Sequence, residues 1–255
     1  MNKKKNKIQI SIIIPYFNNL RYLPKAIDSI IHQNCSSYEI ILVYDDEIKK
    51  DLKIIKNKYS NLKNLKILVN KKNIGAAKSR NIGLLKCKGK YIAFLDADDY
   101  WKKNKLKKQI KFMKNNAIDF SYTAYEIIKS NKIKKHKVKT IYSYNDLLNK
   151  CDIGLSTVII NSKMLKFGNF PNLKTQEDYA LWLKYLRNGV KIGGLNISLS
   201  CWRDLEGSLS KNTFQKLKDS FTVYNKLEKK FFLESIFRVL ILSMNKLFKL
   251  FKNKL

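Results

Sequence analysis

Short apolar runs alternate with helix-like periodicity through the first hundred residues. Residues 10–14, 39–44, 65–69 and 91–95 read as buried strands. Between them lie 22–33, 48–59 and 75–87. In the first of these, Leu23, Ala26, Ile27, Ile30 and Ile31 keep the 3.6-residue spacing of an amphipathic helix. Strands alternating with helices in this order predict an α/β fold with a parallel, doubly wound sheet. Such sheets bind ligands at the carboxyl ends of their strands. Beyond Trp101 the pattern is mixed, with a helix over 102–115, strands near 118–128 and 158–160, and a helix over 176–187. This second half is expected to pack on the first, because no repeat and no Pro/Gly-rich linker separates them.

The last forty residues read differently. Leu233, Ile236, Phe237, Leu240, Ile241, Met244, Leu247, Phe248 and Phe251 share one helix face, while Lys246, Lys249 and Lys252 lie off it. Two occupants fit that stripe: an anionic bilayer with the helix lying in its plane, or the rest of the chain or a second copy of it. The expected organisation is one domain over residues 1–210 and an amphipathic helical tail over 211–255.

Composition narrows the function classes. The 255 residues are 45% hydrophobic with 9 Gly and 3 Pro, which excludes collagen-like, disordered and low-complexity chains. Lys and Arg total 52 against 20 Asp and Glu, a net charge of +32. Such a balance invites a nucleic-acid or anionic-membrane reading. Only Arg21, Arg80, Arg187, Arg203 and Arg238 carry guanidinium groups, however, and these are dispersed, which argues against nucleic acid as partner. Cys35, Cys87, Cys151 and Cys201 form no C-x-x-C pair, so neither a zinc site nor a disulfide framework is expected, in keeping with a reducing cytoplasm. The longest uncharged run, 8–20, contains Pro15 and is too short to span a bilayer. The expected location is cytoplasmic, with peripheral contact at the inner face of the membrane open to the tail.

In so basic a chain the few acids are informative. Eight of the 20 fall in three knots: Asp45, Asp46 and Glu47; Asp96, Asp98 and Asp99; Glu177 and Asp178. Adjacent like charges raise one another's pKa, so such knots await a cation, donors or a proton. Helix capping is the plainer role, with Asp99 placed to cap the helix over 102–115. A cap explains one acid and not three. Two knots directly follow predicted strands and should face one cleft. Asp96 and Asp98, two apart at a strand end, can converge on a Mg²⁺ or Mn²⁺ that leaves positions open for phosphate oxygens.

Five motifs then carry a resemblance. They are Ser11-Ile12-Ile13-Ile14-Pro15-Tyr16-Phe17-Asn18, the Asp45-Asp46 pair, Asn73-Ile74-Gly75 through Ala77-Lys78-Ser79-Arg80-Asn81-Ile82-Gly83, Phe94-Leu95-Asp96-Ala97-Asp98-Asp99, and Gln176-Glu177-Asp178-Tyr179. In this order and spacing the chain resembles a bacterial family 2 glycosyltransferase over roughly residues 8–210. The resemblance implies a GT-A fold, which is Rossmann-like, and a nucleotide-sugar donor, with UDP as the expected nucleotide. It also implies a glycan or lipid-linked acceptor. Pro15, Tyr16 and Phe17 would line the base pocket, with Asp45 and Asp46 on the nucleotide and Asp46 on the base. Arg80 would contact the nucleotide, Asp96 and Ala97 would lie at the ribose side, and Asp98 with Asp96 would hold the metal. Asp178 would be the catalytic base, and Glu177 an acceptor-binding or orienting group.

The residue inventory agrees with that chemistry. An acceptor hydroxyl must lose its proton as it attacks the anomeric carbon. Only His32, in the first helix, and His136, in a Lys-rich hairpin, could rival a carboxylate as base, and neither stands at a predicted strand end. A single base opposite a departing diphosphate implies inversion at the sugar carbon.

Two departures from the family pattern stand out. Glu47-Ile48 replaces the usual Gly-Ser, and Leu205 stands where many relatives carry a metal-binding His. Around Leu205, residues 202–210 resemble the segment that closes over the diphosphate, with Arg203, Ser208 and Ser210 as phosphate contacts. Two rivals remain at this stage. A nucleotidyltransferase would use the same acids and metal, but 15–19 lacks the Gly-rich phosphate loop it wants. A non-catalytic basic protein binding membrane or nucleic acid would make the acids structural.

Overall fold

The computed structural model describes residues 8–35, 37–130, 132–206 and 211–251, with side chains as far as Asn245. Strands β1 (Ile10–Tyr16), β2 (Tyr38–Tyr44), β3 (Leu65–Val69) and β4 (Tyr91–Phe94) run parallel, in the order β3-β2-β1-β4. Helices α1 (Leu23–Ile31), α2 (Leu52–Lys58) and α3 (Ala76–Leu84) make the crossovers. Alternation along each strand fills both faces. Ile12 and Ile14 join Leu23, Ile27, Ile30 and Ile55 on one side, whereas Ile13 and Phe94 join the core beneath α3 on the other. Gly83 sits where a Cβ would lie 2.7 Å from Ile13 Cγ2, so its missing side chain lets α3 lie close against the sheet.

The second half extends the same sheet. After β5 (Tyr100–Trp101) and α4 (Lys105–Asn115) come the hairpin strands β6 (Phe120–Lys129) and β7 (Lys132–His136), then α5 (Tyr144–Asn149) and β8 (Ile159–Asn161). α6 (Glu177–Arg187) and β9 (Ile192–Arg203) complete the pattern. The path beyond β4 is β8-β6-β9-β5, with β7 on the flank of β6; β8 and β5 run against their neighbours. α4 begins at Lys105, three residues later than expected, because Tyr100 and Trp101 pair with Cys201 and Ser200. Asp99 therefore caps nothing; the cap position belongs to Asn104, at φ 64° and with no side-chain cap bond.

The C-terminal stretch holds two α-helices. α7 (Thr213–Thr222) runs into a π-helical turn at Val223–Leu227, and the chain bends at Lys229, φ 52°, before α8 (Phe232–Phe251). Val223 and Tyr224 are fully buried in the core that holds α6. α8 docks through Ser235, which is buried, Val239, which packs on that core, and Asn245, whose amide donates to Asn149 O at 2.9 Å. Its apolar stripe points the other way: Leu233, Phe237, Leu240 and Met244 are each more than half exposed. No helix among the described residues is long and apolar enough to cross a membrane.

Candidate active site

The register sets one rim. β1 and β2 end level, Tyr16 opposite Tyr44, and β4 pairs Phe94 with Ile13, so the residues after all three strands emerge on one edge of the sheet. After β2, Asp45 is buried and grips the loop that starts α3. Its Oδ1 accepts from Ile74 N at 3.0 Å and Asn70 Nδ2 at 2.7 Å, and its Oδ2 accepts from Gly75 N at 2.8 Å. Gly75 stands at φ 86°, a backbone that a side chain would strain, so the Asp45 clasp and the glycine act together to aim α3. Asp46, also buried, accepts from Ile48 N at 3.1 Å, so the departure at Glu47-Ile48 still closes a tight turn. The expected aromatic pocket divides. Tyr16 is fully buried, stacked on Tyr44 and donating its hydroxyl to Asp51 Oδ2 at 2.5 Å, whereas Pro15 is half-buried and Phe17 is 52% exposed.

Arg80 joins the other two knots. From α3 its Nη2 meets Asp96 Oδ1 at 2.8 Å and its Nη1 meets Glu177 Oε1 at 2.6 Å, with the guanidinium beside the Phe170 ring. Burial works against charge on this guanidinium, but the Asp96 and Glu177 carboxylates outweigh it and raise its pKa. Arg80 and Glu177 are largely buried while Asp96 is 32% exposed, and breaking a buried pair such as Arg80–Glu177 typically costs about 3–5 kcal/mol because a charge is left unpaired. Arg80 Nε is buried with no partner among the described residues. Asn81, next along α3, clasps the backbone of Phe170 in both directions, at 2.9 and 3.1 Å. The segment leading into α6 is thereby fixed.

Around these ties the acids crowd. Burial, and then the neighbouring Glu177, push the Asp178 carboxyl up to about 7. Burial and Asp96 push Asp98 up to about 6, and burial with Asp98 raises Asp99 well above the carboxylate range. Asp99 is spent inside: it accepts from Ser156 Oγ at 2.6 Å and from Arg203 N at 3.0 Å. Ser156 also accepts from Asp96 N at 3.1 Å, and its carbonyl accepts from Trp101 Nε1 at 2.7 Å. Arg203 donates to the carbonyl of Asp98 and lies over the Tyr22 and Tyr100 rings, and Ala97 is buried. Ser208 and Ser210 lie outside the described residues.

Asp96 and Asp98 fit a hard divalent cation. Two carboxyls are crowded, with Asp98 raised in pKa, and a cation would relieve that repulsion. No group of three or more His, Cys, Asp or Glu that could hold a metal occurs among the described residues. A pair of carboxyls alone would hold Mg²⁺ or Mn²⁺ only with water or phosphate oxygens completing the shell.

Several contributors carry no motif in the sequence. Ser156 holds the backbone of Asp96 and the side chain of Asp99 from the short 3₁₀ turn Leu155–Thr157, in a loop without a motif. Lys105, fully buried, donates to Gln109 Oε1 at 2.8 Å and to Thr157 O at 3.3 Å, bracing that loop from below. Asp219 of α7 holds Thr175, just ahead of the Glu177–Asp178 pair.

The layers and strand order are those of the GT-A class. Its likeness to a solved structure, Staphylococcus aureus TarS residues 1–349 in complex with UDP-GlcNAc, has a TM-score of 0.73 at 23% identity, covering 86% of this chain and 65% of that one. The profile described as glycosyl transferase family 2 matches residues 11–173, and the chain belongs to that family. It is a glycosyltransferase. Among its relatives is TuaG of Bacillus subtilis, named for teichuronic acid biosynthesis, 31% identical over 89% of this chain and 91% of TuaG. Another is Escherichia coli WfgD, a UDP-Glc:alpha-D-GlcNAc-diphosphoundecaprenol beta-1,3-glucosyltransferase, 36% identical over 84% of each chain. Nucleotidyl transfer and a non-catalytic chain give way to this assignment.

Proposed function

We propose that the protein transfers a hexose or N-acetylhexosamine, with inversion, from a UDP-sugar to a hydroxyl of a lipid-linked surface-glycan precursor. The observation that carries this reading is the Arg80 bridge, which draws Asp96 and Glu177, from distant parts of the chain, to one guanidinium. The donor class agrees with TarS, whose structure is a complex with UDP-GlcNAc, and the acceptor class with WfgD. Phe17 and Asp46 take the base, Asp96 the ribose, and Arg80 Nε and Arg203 the phosphate side. Asp45 supports the nucleotide loop.

Asp178 is the base. It takes the acceptor hydroxyl proton while the freed oxygen bonds to the anomeric carbon and the bond from that carbon to the diphosphate oxygen breaks. Asp98 and Asp96 would hold a Mg²⁺ or Mn²⁺, which when bound would neutralise charge on the departing UDP. Glu177, fixed by Arg80, orients the acceptor. A carboxylate with a pKa near the working pH is a better proton acceptor than an ordinary one. The expected kcat/KM of transfer therefore falls tenfold per pH unit below about 7, as Asp178 becomes protonated, and levels off above it. A profile flat from pH 5 to 8 contradicts Asp178 as the base.

A lipid-linked acceptor lies at a bilayer, and the outward stripe of α8 suits that surface. Leu233, Phe237, Leu240 and Met244 offer apolar contact, and a chain of net charge +32 is drawn to anionic headgroups. The protein is expected to sediment with phosphatidylglycerol vesicles and not with phosphatidylcholine vesicles. Phe237→Glu with Leu240→Glu should abolish that binding while leaving the folded state intact. Equal sedimentation of the double variant assigns the stripe elsewhere.

A further inference from the structure

The stretch beyond β9 does more than follow the catalytic fold. It grips α6, the helix that carries Glu177 and Asp178 on its first turn, at three places. At the start of α6, Asp219 Oδ2 accepts from both the backbone N and the hydroxyl of Thr175, each at 2.8 Å, and Gln215 Nε2 donates to Asp219 Oδ1 at 3.0 Å. In the same first turn, the Tyr179 hydroxyl lies 2.9 Å from that of Tyr224, and both reach the carbonyl of Leu148. At the far end, Arg187 Nη1 meets Glu228 Oε2 at 3.1 Å.

The first of these grips bears on the chemistry. α6 opens on Gln176, whose backbone is left-handed at φ 63° and whose side chain makes no cap bond. A glutamine in that region costs energy and persists only where its surroundings hold it. The residue before it, Thr175, is buried, and its N–H and O–H both end on one buried carboxylate oxygen 44 residues away. The other approach to the acid pair, the loop around Phe170, is held by Asn81. Asp219, through Thr175, and Arg80, through Glu177, thus both hold the turn that carries the acids.

We propose that Asp219 is a positioning residue for the Glu177–Asp178 pair, so that α7, outside the matched family profile, is part of the transfer machinery. The inference rests on the proposed role of Asp178 as base. Without the clasp, Thr175 and Gln176 relax, the first turn of α6 shifts, and Asp178 no longer meets the acceptor hydroxyl. Donor contacts made from β1, β2, β4 and α3 stay as they are.

The test uses the full chain with Mn²⁺ and, in turn, UDP-glucose and UDP-GlcNAc, following UDP release, together with amide hydrogen exchange. Asp219→Ala is expected to lower kcat by about 100-fold, the scale of a misplacement near 1 Å, with donor KM changed less than about threefold. Exchange should quicken over 174–180 and little elsewhere. Asp219→Asn should recover most of the turnover, because its carbonyl oxygen still accepts from Thr175 while Gln215 turns its amide to match. Thr175→Val, which keeps the N–H and loses one bond, should fall between them, and it reads the clasp should Asp219→Ala not fold. Wild-type kcat in folded Asp219→Ala, or unchanged exchange over 174–180, overturns the positioning role. Wild-type protein that releases UDP from neither donor contradicts the proposed function instead, and the exchange result still decides whether the clasp holds the turn.

Discussion

Asp178→Asn is expected to bind UDP-sugar as the parent does and to transfer sugar roughly 10³-fold more slowly, within the range that general-base groups contribute. The substitution keeps shape. Asp178 Oδ1 accepts from Tyr179 N at 2.7 Å, a bond that the asparagine carbonyl reproduces, so the first turn of α6 is preserved. What is lost is a site for the acceptor proton. Crowding also eases, because one of the charges beside Glu177 and Asp96 is gone, and the variant should be at least as stable as the parent. Steady-state kinetics check both halves: kcat collapses and donor KM stays within about threefold. Turnover near the parental value removes Asp178 from the mechanism.

Asp98→Ala acts at the other end of the reacting bond. Asp98 is the carboxyl after β4 that no described side chain pairs with directly; Asp96 is shared with Arg80 and Asp99 is committed to Ser156 and Arg203 N. Removing it should weaken Mn²⁺-dependent UDP binding by about 100-fold or more, since loss of even an outer-shell partner of a metal ligand costs 10–100-fold. Calorimetric titration of UDP in Mn²⁺ reads this without any turnover. The variant should fold, because deleting a carboxyl held high by burial and by Asp96 removes repulsion. Tight, Mn²⁺-stimulated UDP binding to Asp98→Ala would assign the metal to other groups.

The part of the molecule legible in the sequence is the part where burial on both faces leaves an unbroken mark. The 10–14 run is apolar because Ile12 and Ile14 meet α1 while Ile13 meets α3; β4 divides between the same two cores, and Ile40 to Tyr44 of β2 are all fully buried. β9 left no such mark. Its apolar residues are interrupted by Gly193, Gly194 and Asn196, and its pairing with β6 shifts register near Thr123 and Ala124, so neither alternation nor a continuous run survives. The α8 stripe was visible as periodicity, but periodicity does not say which side docks. Here Ser235, Val239 and Asn245 face the protein and the large apolar groups do not.

The candidate site divides in the same way. Knots of like charge reveal themselves in a basic chain, and so Asp45, Asp46, Asp96, Asp98, Glu177 and Asp178 could be read directly. The residues that hold them could not. Ser156 and Asp219 act through hydrogen bonds to partners 44 to 60 positions away, and a lone serine or aspartate has no periodicity to betray it. Tyr16 shows the converse. Its motif position suggested the base pocket, yet the pleat that sends Ile12 and Ile14 inward sends Tyr16 there too, onto Tyr44 and Asp51.

That the three acid groups serve one metal-held nucleoside diphosphate is tested most directly by the melting temperature of the wild-type chain in UDP, with Mn²⁺ or with EDTA. A ligand that binds only the folded state, at a hundred times its Kd, should raise the midpoint by about 5–10 °C in a chain of this size. The expected result is that rise with UDP and Mn²⁺ together and almost none with UDP in EDTA. An equal rise in EDTA, or no rise in either, contradicts the account.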